Sequence, residues 1–186
     1  MILGRVQAHV PADTKEARDR ETILAFLRSG GDPYNRKRFD PGHLTGSSFI
    51  LDAPGKRLVL VHHAKLGRWL QPGGHGEPGE KDPLAIAMRE ALEETGIEGL
   101  KPHPKASGLF DLDMHRIPAG KAEPAHLHLD LRFVLVAPYG AEPRASSESR
   151  EARWSGLEDG LADPDLSRAL SKLRQVSLSN ASGTRG

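Results

Sequence analysis

From Gly74 to Ile97 the chain reads GHGEPGEKDPLAIAMREALEETGI, a proline- and glycine-bracketed loop followed by a short helix. At about 100° per residue, Leu84, Met88 and Ala91 line one side of that helix, so it must lie against a second layer. Glu90, Glu93 and Glu94 project together from the other side. A like-charge pair four residues apart, as Glu90 and Glu94 are, weakens a helix by about 0.2–0.5 kcal/mol. Three carboxylates packed so closely make physical sense around a cation, and an all-oxygen ligand set suits Mg²⁺ or Mn²⁺. Such an ion keeps some of its waters and also binds phosphate oxygens, which points to metal-assisted attack of water on a phosphate ester or anhydride.

The segment resembles the signature of the Nudix hydrolases: a glycine, five residues, a glutamate, seven residues, then Arg-Glu, an apolar residue, any residue, Glu-Glu, any residue, glycine, apolar. Here those positions are Gly74, Glu80 and the run Arg89-Glu90-Ala91-Leu92-Glu93-Glu94-Thr95-Gly96-Ile97. There is one departure, because eight residues, Lys81 to Met88, separate Glu80 from Arg89. The extra residue is expected in the Lys81-Asp82-Pro83 turn, with Asp82 capping the helix and Pro83 in its first turn, where a missing N–H costs nothing.

The resemblance implies a Nudix-type α/β/α sandwich with a mixed sheet and the metal helix packed on it. It also implies that Glu90, Glu93 and Glu94, with the Gly73 carbonyl, hold Mg²⁺ (or Mn²⁺). Arg89 is expected to fix a carboxylate by a charge-assisted hydrogen bond. A glutamate from the region before Trp154, Glu148 or Glu151, is the expected general base. The implied substrate is a nucleoside diphosphate linked to another group X, such as an NDP-sugar, cleaved at its diphosphate. Subgroups of the family carry a marker fifteen to seventeen residues past the box, a proline for ADP-ribose types and a tyrosine for dinucleoside polyphosphate types; here that window reads Leu112-Asp113-Met114, with neither marker. The alternative function is a catalytically silent nucleotide sensor, against which the complete Glu90/Glu93/Glu94 set speaks. An isomerase of the same fold uses a cysteine, and this chain has none.

Composition agrees with a small soluble enzyme. The 186 residues suffice for one domain with extensions. A net charge of +1 gives no global field favouring nucleic acid or acidic membranes. The lack of cysteine excludes disulfides, thiolate nucleophiles and sulfur-ligated zinc. No stretch approaches the roughly twenty apolar residues of a membrane span. The first residues lack the layout of a signal peptide, so a cytoplasmic location is expected.

Along the chain, a helix capped by Asp13 carries the apolar residues Ile23, Phe26 and Leu27 and stops at Gly30-Gly31. With the basic linker after it, this makes residues 1–41 a helical extension ahead of a Nudix domain over 42–176. In the family such extensions cover a neighbouring subunit or complete a substrate pocket, and a homodimer is the expected assembly. Strands are expected at Leu44–Leu51, Leu58–His63, Gly108–Ile117, Leu127–Val136 and Ala152–Trp154. A last helix, capped by Asp163, buries Leu166, Leu170 and Leu173, and residues 177–186 form a disordered tail.

A second polar pattern lies in the stretch AHLHLDLRFVLV from Ala125. Alternation places His126, His128, Asp130 and Arg132 on one face. Asp111, Asp113 and His115 of the preceding strand can join them. Such a set can contact substrate, hold a transition metal, or be a solvated sheet face. Substrate contact is the reading adopted for His126, His128 and Asp130, together with His75 in the metal loop and Arg68 upstream of it. His43, Thr45 and Ser47 enter the first strand and could contact substrate, but the ordinary strand reading is preferred for them. Lys65 is a further candidate for phosphate, and Trp69 is read as an anchor of the core or loop.

Overall fold

The computed structural model describes residues 1–64, 67–146, 149–159 and 164–181, and within the last helix the side chains of 166–175. In chain order the elements are α1 (Ile2–Ala8), α2 (Thr14–Arg28), β1 (Gly42–Leu51), β2 (Arg57–His63), β3 (Trp69–Leu70), β4 (Gly73–His75), α3 (Pro83–Thr95), β5 (Lys101–Pro102), β6 (Asp111–Ile117), β7 (His126–Val136), β8 (Ser149–Gly156) and α4 (Pro164–Ala181). The apolar start of the chain is itself helical, and the last helix runs on into the stretch from Ser177. The expected cap Asp163 and the candidates Lys65 and Glu148 lie outside the described residues.

The spine of the mixed sheet is a parallel pairing of β1 with β7, in register from Gly42↔Leu127 to Leu51↔Val136. β6 and β5 pair antiparallel with the other edge of β7. β1 and β2 meet beside their turn at Leu51↔Leu58, while β3 pairs with β2 and β4 with β1. β8 pairs along β2. Trp69–His75 thus carries the chain from β2 to β1 and delivers β4 to the middle of the sheet.

Period-2 alternation gives the sheet two faces. Leu44, Leu129, Leu131 and Phe133 meet Val6, Ile23, Leu24 and Phe26 of the N-terminal helices and Ile86 and Ala87 of α3. Ile50, Val59 and Leu135 extend that face under Ala91. On the opposite face Phe49, Leu51, Leu58, Leu60 and Val134 pack against Leu166, Ala169, Leu170 and Leu173 of α4. Helices therefore cover both faces, as an α/β/α sandwich requires.

α3 meets the sheet through Pro83, Ile86, Ala87, Ala91 and Thr95, with Leu84 and Met88 only partly buried. The stripe is rotated from the expected Leu84/Met88/Ala91 line because the helix backbone rests on β1 at Gly46. A Cβ there would stand 2.6 Å from the Pro83 carbonyl oxygen and 3.1 Å from the Ala87 nitrogen. So close an approach leaves room beneath the helix for small side chains and moves the longer ones to its flanks.

α2 seals the open edge of β6. The Leu112 N–H donates to Glu16 Oε1 (3.1 Å) and the Met114 N–H to Asp19 Oδ2 (3.0 Å). An edge strand with its donors satisfied offers no template for pairing with another chain. Glu16 is fully buried and also accepts from Ala12 N (2.6 Å), His9 Nε2 (2.7 Å) and Lys172 Nζ (2.9 Å). Burial pushes its carboxyl up, but the His9 and Lys172 hydrogen bonds outweigh burial and hold it well below the usual carboxylate range.

Candidate active site

Asp82 Oδ1 accepts from the Leu84 N–H at 3.2 Å, and α3 runs unbroken from Pro83 to Thr95. The extra residue therefore sits in the loop, and the carboxylates keep one helical face. Arg89 gathers that face. Its Nε and Nη2 donate to Glu80 Oε1 (3.1 Å) and Oε2 (3.0 Å), and Nη2 also to the His75 carbonyl (2.7 Å). Its Nη1 donates to Glu90 Oε1 (3.1 Å) and Glu93 Oε2 (2.8 Å). The Arg89 hydrogen bonds hold the Glu80 carboxyl below the usual range.

Two further contacts tie α3 to β4. Glu94 Oε2 accepts from the Gly73 N–H at 2.9 Å. A Cβ on Gly74 would stand 2.5 Å from Glu90 Oε1, so the absent side chain makes the space that the Glu90 carboxylate occupies. Carboxylate oxygens are the donor type that suits a hard divalent cation, and Glu90 and Glu94 bring theirs to the backbone of β4.

The opposite face of the sheet holds the second pattern. Register places Asp111 opposite Arg132, Asp113 opposite Asp130 and His115 opposite His128. It places His43 opposite His128 and Thr45 opposite both Asp130 and His75. These residues share one face as alternation requires, but the face is not solvated. Asp111 is fully buried and Arg132 is 2% exposed. Arg132 donates to Asp130 Oδ2 (2.9 Å), Asp113 Oδ2 (3.0 Å) and Asp111 Oδ2 (3.4 Å). Asp130 also accepts the hydroxyls of Thr45 (2.9 Å) and Ser47 (2.7 Å). From α4, Arg168 and Lys172 reach Asp111 at 2.8 and 3.0 Å. Asp130 is thus engaged within the protein, in a buried charge network that links β1, β6, β7 and α4.

Toward the start of β7 the face becomes a group of imidazoles. His75 Nε2 and His128 Nε2 lie 3.1 Å apart, and ring centroids are 5.1 Å apart for His43 and His75 and 5.0 Å for His43 and His128. Burial and a neighbouring arginine, Arg36, push His75 down to about 4. Burial and its histidine neighbours push His128 down as well.

A family model described as NUDIX domain matches residues 43–174. The chain belongs to the Nudix family. It is 36% identical over 104 residues to the mouse bis(5'-nucleosyl)-tetraphosphatase [asymmetrical], covering 53% of this chain and 59% of that protein. It is 40% identical over 62 residues to the RNA pyrophosphohydrolase of Bartonella clarridgeiae, covering 32% of this chain and 35% of that protein. The match thus spans less than two thirds of either relative's length. Among solved structures, a C. elegans Ap4A hydrolase binary complex superposes with a TM-score of 0.56 at 24% identity, over 74% of this chain and 97% of that one. A NUDIX-family hydrolase from Clostridium perfringens superposes with a TM-score of 0.52 at 24% identity, over 76% of this chain and 99% of that one. At such identities these two likenesses speak for the fold.

Within the Nudix fold the remaining candidates are spread out. Arg68 is exposed at the turn between β2 and β3. Trp69 is an anchor: its ring lies 5.1 Å from that of His62 and under Arg153, whose guanidinium is 4.0 Å from the centroid, and it packs on the α4 cluster. Glu151, expected on a loop, stands exposed in β8 opposite His62, because the strand there is longer than the Ala152–Trp154 run suggested. His126 is buried, with Phe39 5.1 Å away ring to ring. Two residues gain weight over the sequence reading. Glu80 anchors Arg89, and His43 stands among the imidazoles; the alternation His43, Thr45, Ser47 was the signal, and the parallel partner β7 gives it meaning. Among the described residues no helix is long and apolar enough to cross a membrane.

Proposed function

We propose that this Nudix protein is a metal-dependent pyrophosphohydrolase that cleaves a phosphoanhydride in a nucleotide linked through its phosphates to another group X. The observation that carries the reading is the seating of the carboxylates against β4, with Glu94 on the Gly73 N–H and Glu90 over Gly74. Glu90, Glu93 and Glu94, with the Gly73 carbonyl, would hold Mg²⁺ or Mn²⁺. Such an ion, when bound, offsets charge on phosphate oxygens and makes a bound water a better nucleophile.

The chain's own groups supply the rest. Arg89, locked by Glu80, fixes the directions of the Glu90 and Glu93 oxygens, which reduces their reorganisation during the reaction. The Glu148–Glu151 segment supplies the base that takes the proton of the attacking water. Arg68 is retained as a proposed substrate contact; His75, His126 and His128 lie on the sheet face turned away from α3 and its carboxylates and have no part in this reading. The leaving group carries phosphate, so no covalent enzyme intermediate is needed.

The activities for which the two relatives are named, dinucleoside tetraphosphatase and RNA pyrophosphohydrolase, favour an X joined through a polyphosphate, ahead of the NDP-sugars first expected. The test is an assay with Mg²⁺, Mn²⁺ or chelator across dinucleoside polyphosphates, NDP-sugars, ADP-ribose, nucleoside triphosphates and 5'-triphosphorylated RNA, with products identified by mass. Nucleotide binding without turnover of any of them would replace the hydrolase with the silent sensor.

A further inference from the structure

We propose that His43, His75 and His128 form a nitrogen-donor site for a divalent transition-metal ion, separate from the carboxylate set and on the other face of β4. The three residues offer ligand nitrogens that all lie within 4.8 Å of one another. The His75 and His128 Nε2 atoms, 3.1 Å apart, already stand near the roughly 3.3 Å separation that tetrahedral bonds of about 2.0–2.1 Å demand. A shift of roughly 1–1.5 Å at His43 completes the triangle.

The hydrogen bonds around the rings fix which atoms face the centre. His43 Nδ1 lies 3.2 Å from the Arg38 carbonyl, which can only accept, so Nδ1 carries the proton and Nε2 carries the lone pair. That Nε2 is buried with no hydrogen-bond partner. A ring nitrogen oriented by a backbone carbonyl on its far side is the arrangement that metal-binding histidines use. Neighbouring His126 repeats it: Nδ1 faces the Pro124 carbonyl at 2.8 Å, Nε2 is buried without a partner, and its ring centroid is 5.0 Å from that of His43.

This pattern discriminates between ligands. A phosphate oxygen needs N–H donors, whereas His43 and His126 turn lone pairs inward. Imidazole nitrogens without a carboxylate select a borderline ion such as Zn²⁺, Co²⁺ or Ni²⁺ over Mg²⁺. Position on β4 separates the two sets: Gly74 makes room for Glu90 on one face, and His75, the next residue, points to the other. An ion bound by His75 would also stiffen the strand whose backbone meets Arg89 and Glu94.

The test uses the full chain, stripped with chelator and titrated with Co²⁺. One ion per chain is expected at the histidines, beyond any at the carboxylates, with visible absorption of nitrogen-rich tetrahedral or five-coordinate cobalt. Hyperfine-shifted imidazole N–H resonances of the wild-type protein should count three histidine ligands, which requires no variant to fold. His75→Ala and His128→Ala should each weaken binding by more than the about 10–100-fold that losing a supporting partner costs. The double variant Glu90→Gln/Glu94→Gln should keep the cobalt spectrum, which separates this site from the proposed hydrolytic one. Loss of the spectrum in that double variant, fewer than three imidazole resonances, or no binding of Co²⁺ or Zn²⁺ would each overturn the site.

Discussion

Arg89 grips Glu80 through two hydrogen bonds, Nε to Oε1 at 3.1 Å and Nη2 to Oε2 at 3.0 Å, across the loop that carries the extra residue. The insertion lengthens the path between them without breaking the contact, so Arg89 still reaches Glu90, Glu93 and the His75 carbonyl. Lysine cannot reproduce this fork, having one ammonium in place of a planar guanidinium. Arg89→Lys should therefore lower metal-dependent turnover by about 10–100-fold, the effect of losing one charge-assisted bond of about 1.5–3 kcal/mol. Turnover within a factor of two of the parent would remove Arg89 from the positioning role.

The carboxylates themselves are tested one at a time. Glu90→Gln and Glu94→Gln should each reduce turnover by at least about 10²–10⁴-fold at saturating Mg²⁺. Without metal, the melting temperature of Glu90→Gln should hold or rise, because one member of a like-charge pair is gone. Near-normal activity in both variants would sink the hydrolytic site.

The helix, its cap and the hairpin strands were legible because they depend on local rules: Asp82-Pro83 for the cap, and alternation for β1, β2, β6 and β7. Long-range pairing was not legible. Nothing near His43 says that it lies beside His128, since that contact exists only through a parallel pairing between segments 85 residues apart in sequence, a separation that the Thr45–Asp130 hydrogen bond shares. The burial of Asp111, Asp130 and Arg132 was hidden for a related reason: alternating polar residues normally mark a wet face, and here α4 brings Arg168 and Lys172 to pair with Asp111.

Glycines at two contacts separate fold from chemistry. Gly46→Ala puts a Cβ 2.6 Å from the Pro83 carbonyl oxygen, a backbone atom that can yield only if α3 lifts from the sheet. Destabilisation of about 1–3 kcal/mol is expected by denaturant unfolding. Gly74→Ala meets the Glu90 carboxylate, the movable end of a side chain. It should cost little stability and instead impair turnover, by displacing one oxygen set. Equal stability losses in the two variants would contradict this division.

Glu16 sets the behaviour in acid. Its folded-state carboxyl is held below the ordinary value of 4.5, so below about that pH the unfolded chain binds more protons than the folded one. Its contribution is complete above the unfolded value and is lost as pH falls toward the folded one. Glu16→Gln should destabilise the protein at pH 7 by at least about 1.5–3 kcal/mol, because Lys172 and His9 lose a charged acceptor. It should also flatten the decline of stability between about pH 5 and 3, since an amide has no proton to take up. Urea unfolding at a series of pH values measures both effects. A parallel acid decline in parent and variant would mean that other carboxylates, such as Asp113, which hydrogen bonds from His115 and Lys15 likewise hold below its ordinary range against the effect of burial, dominate the acid limb.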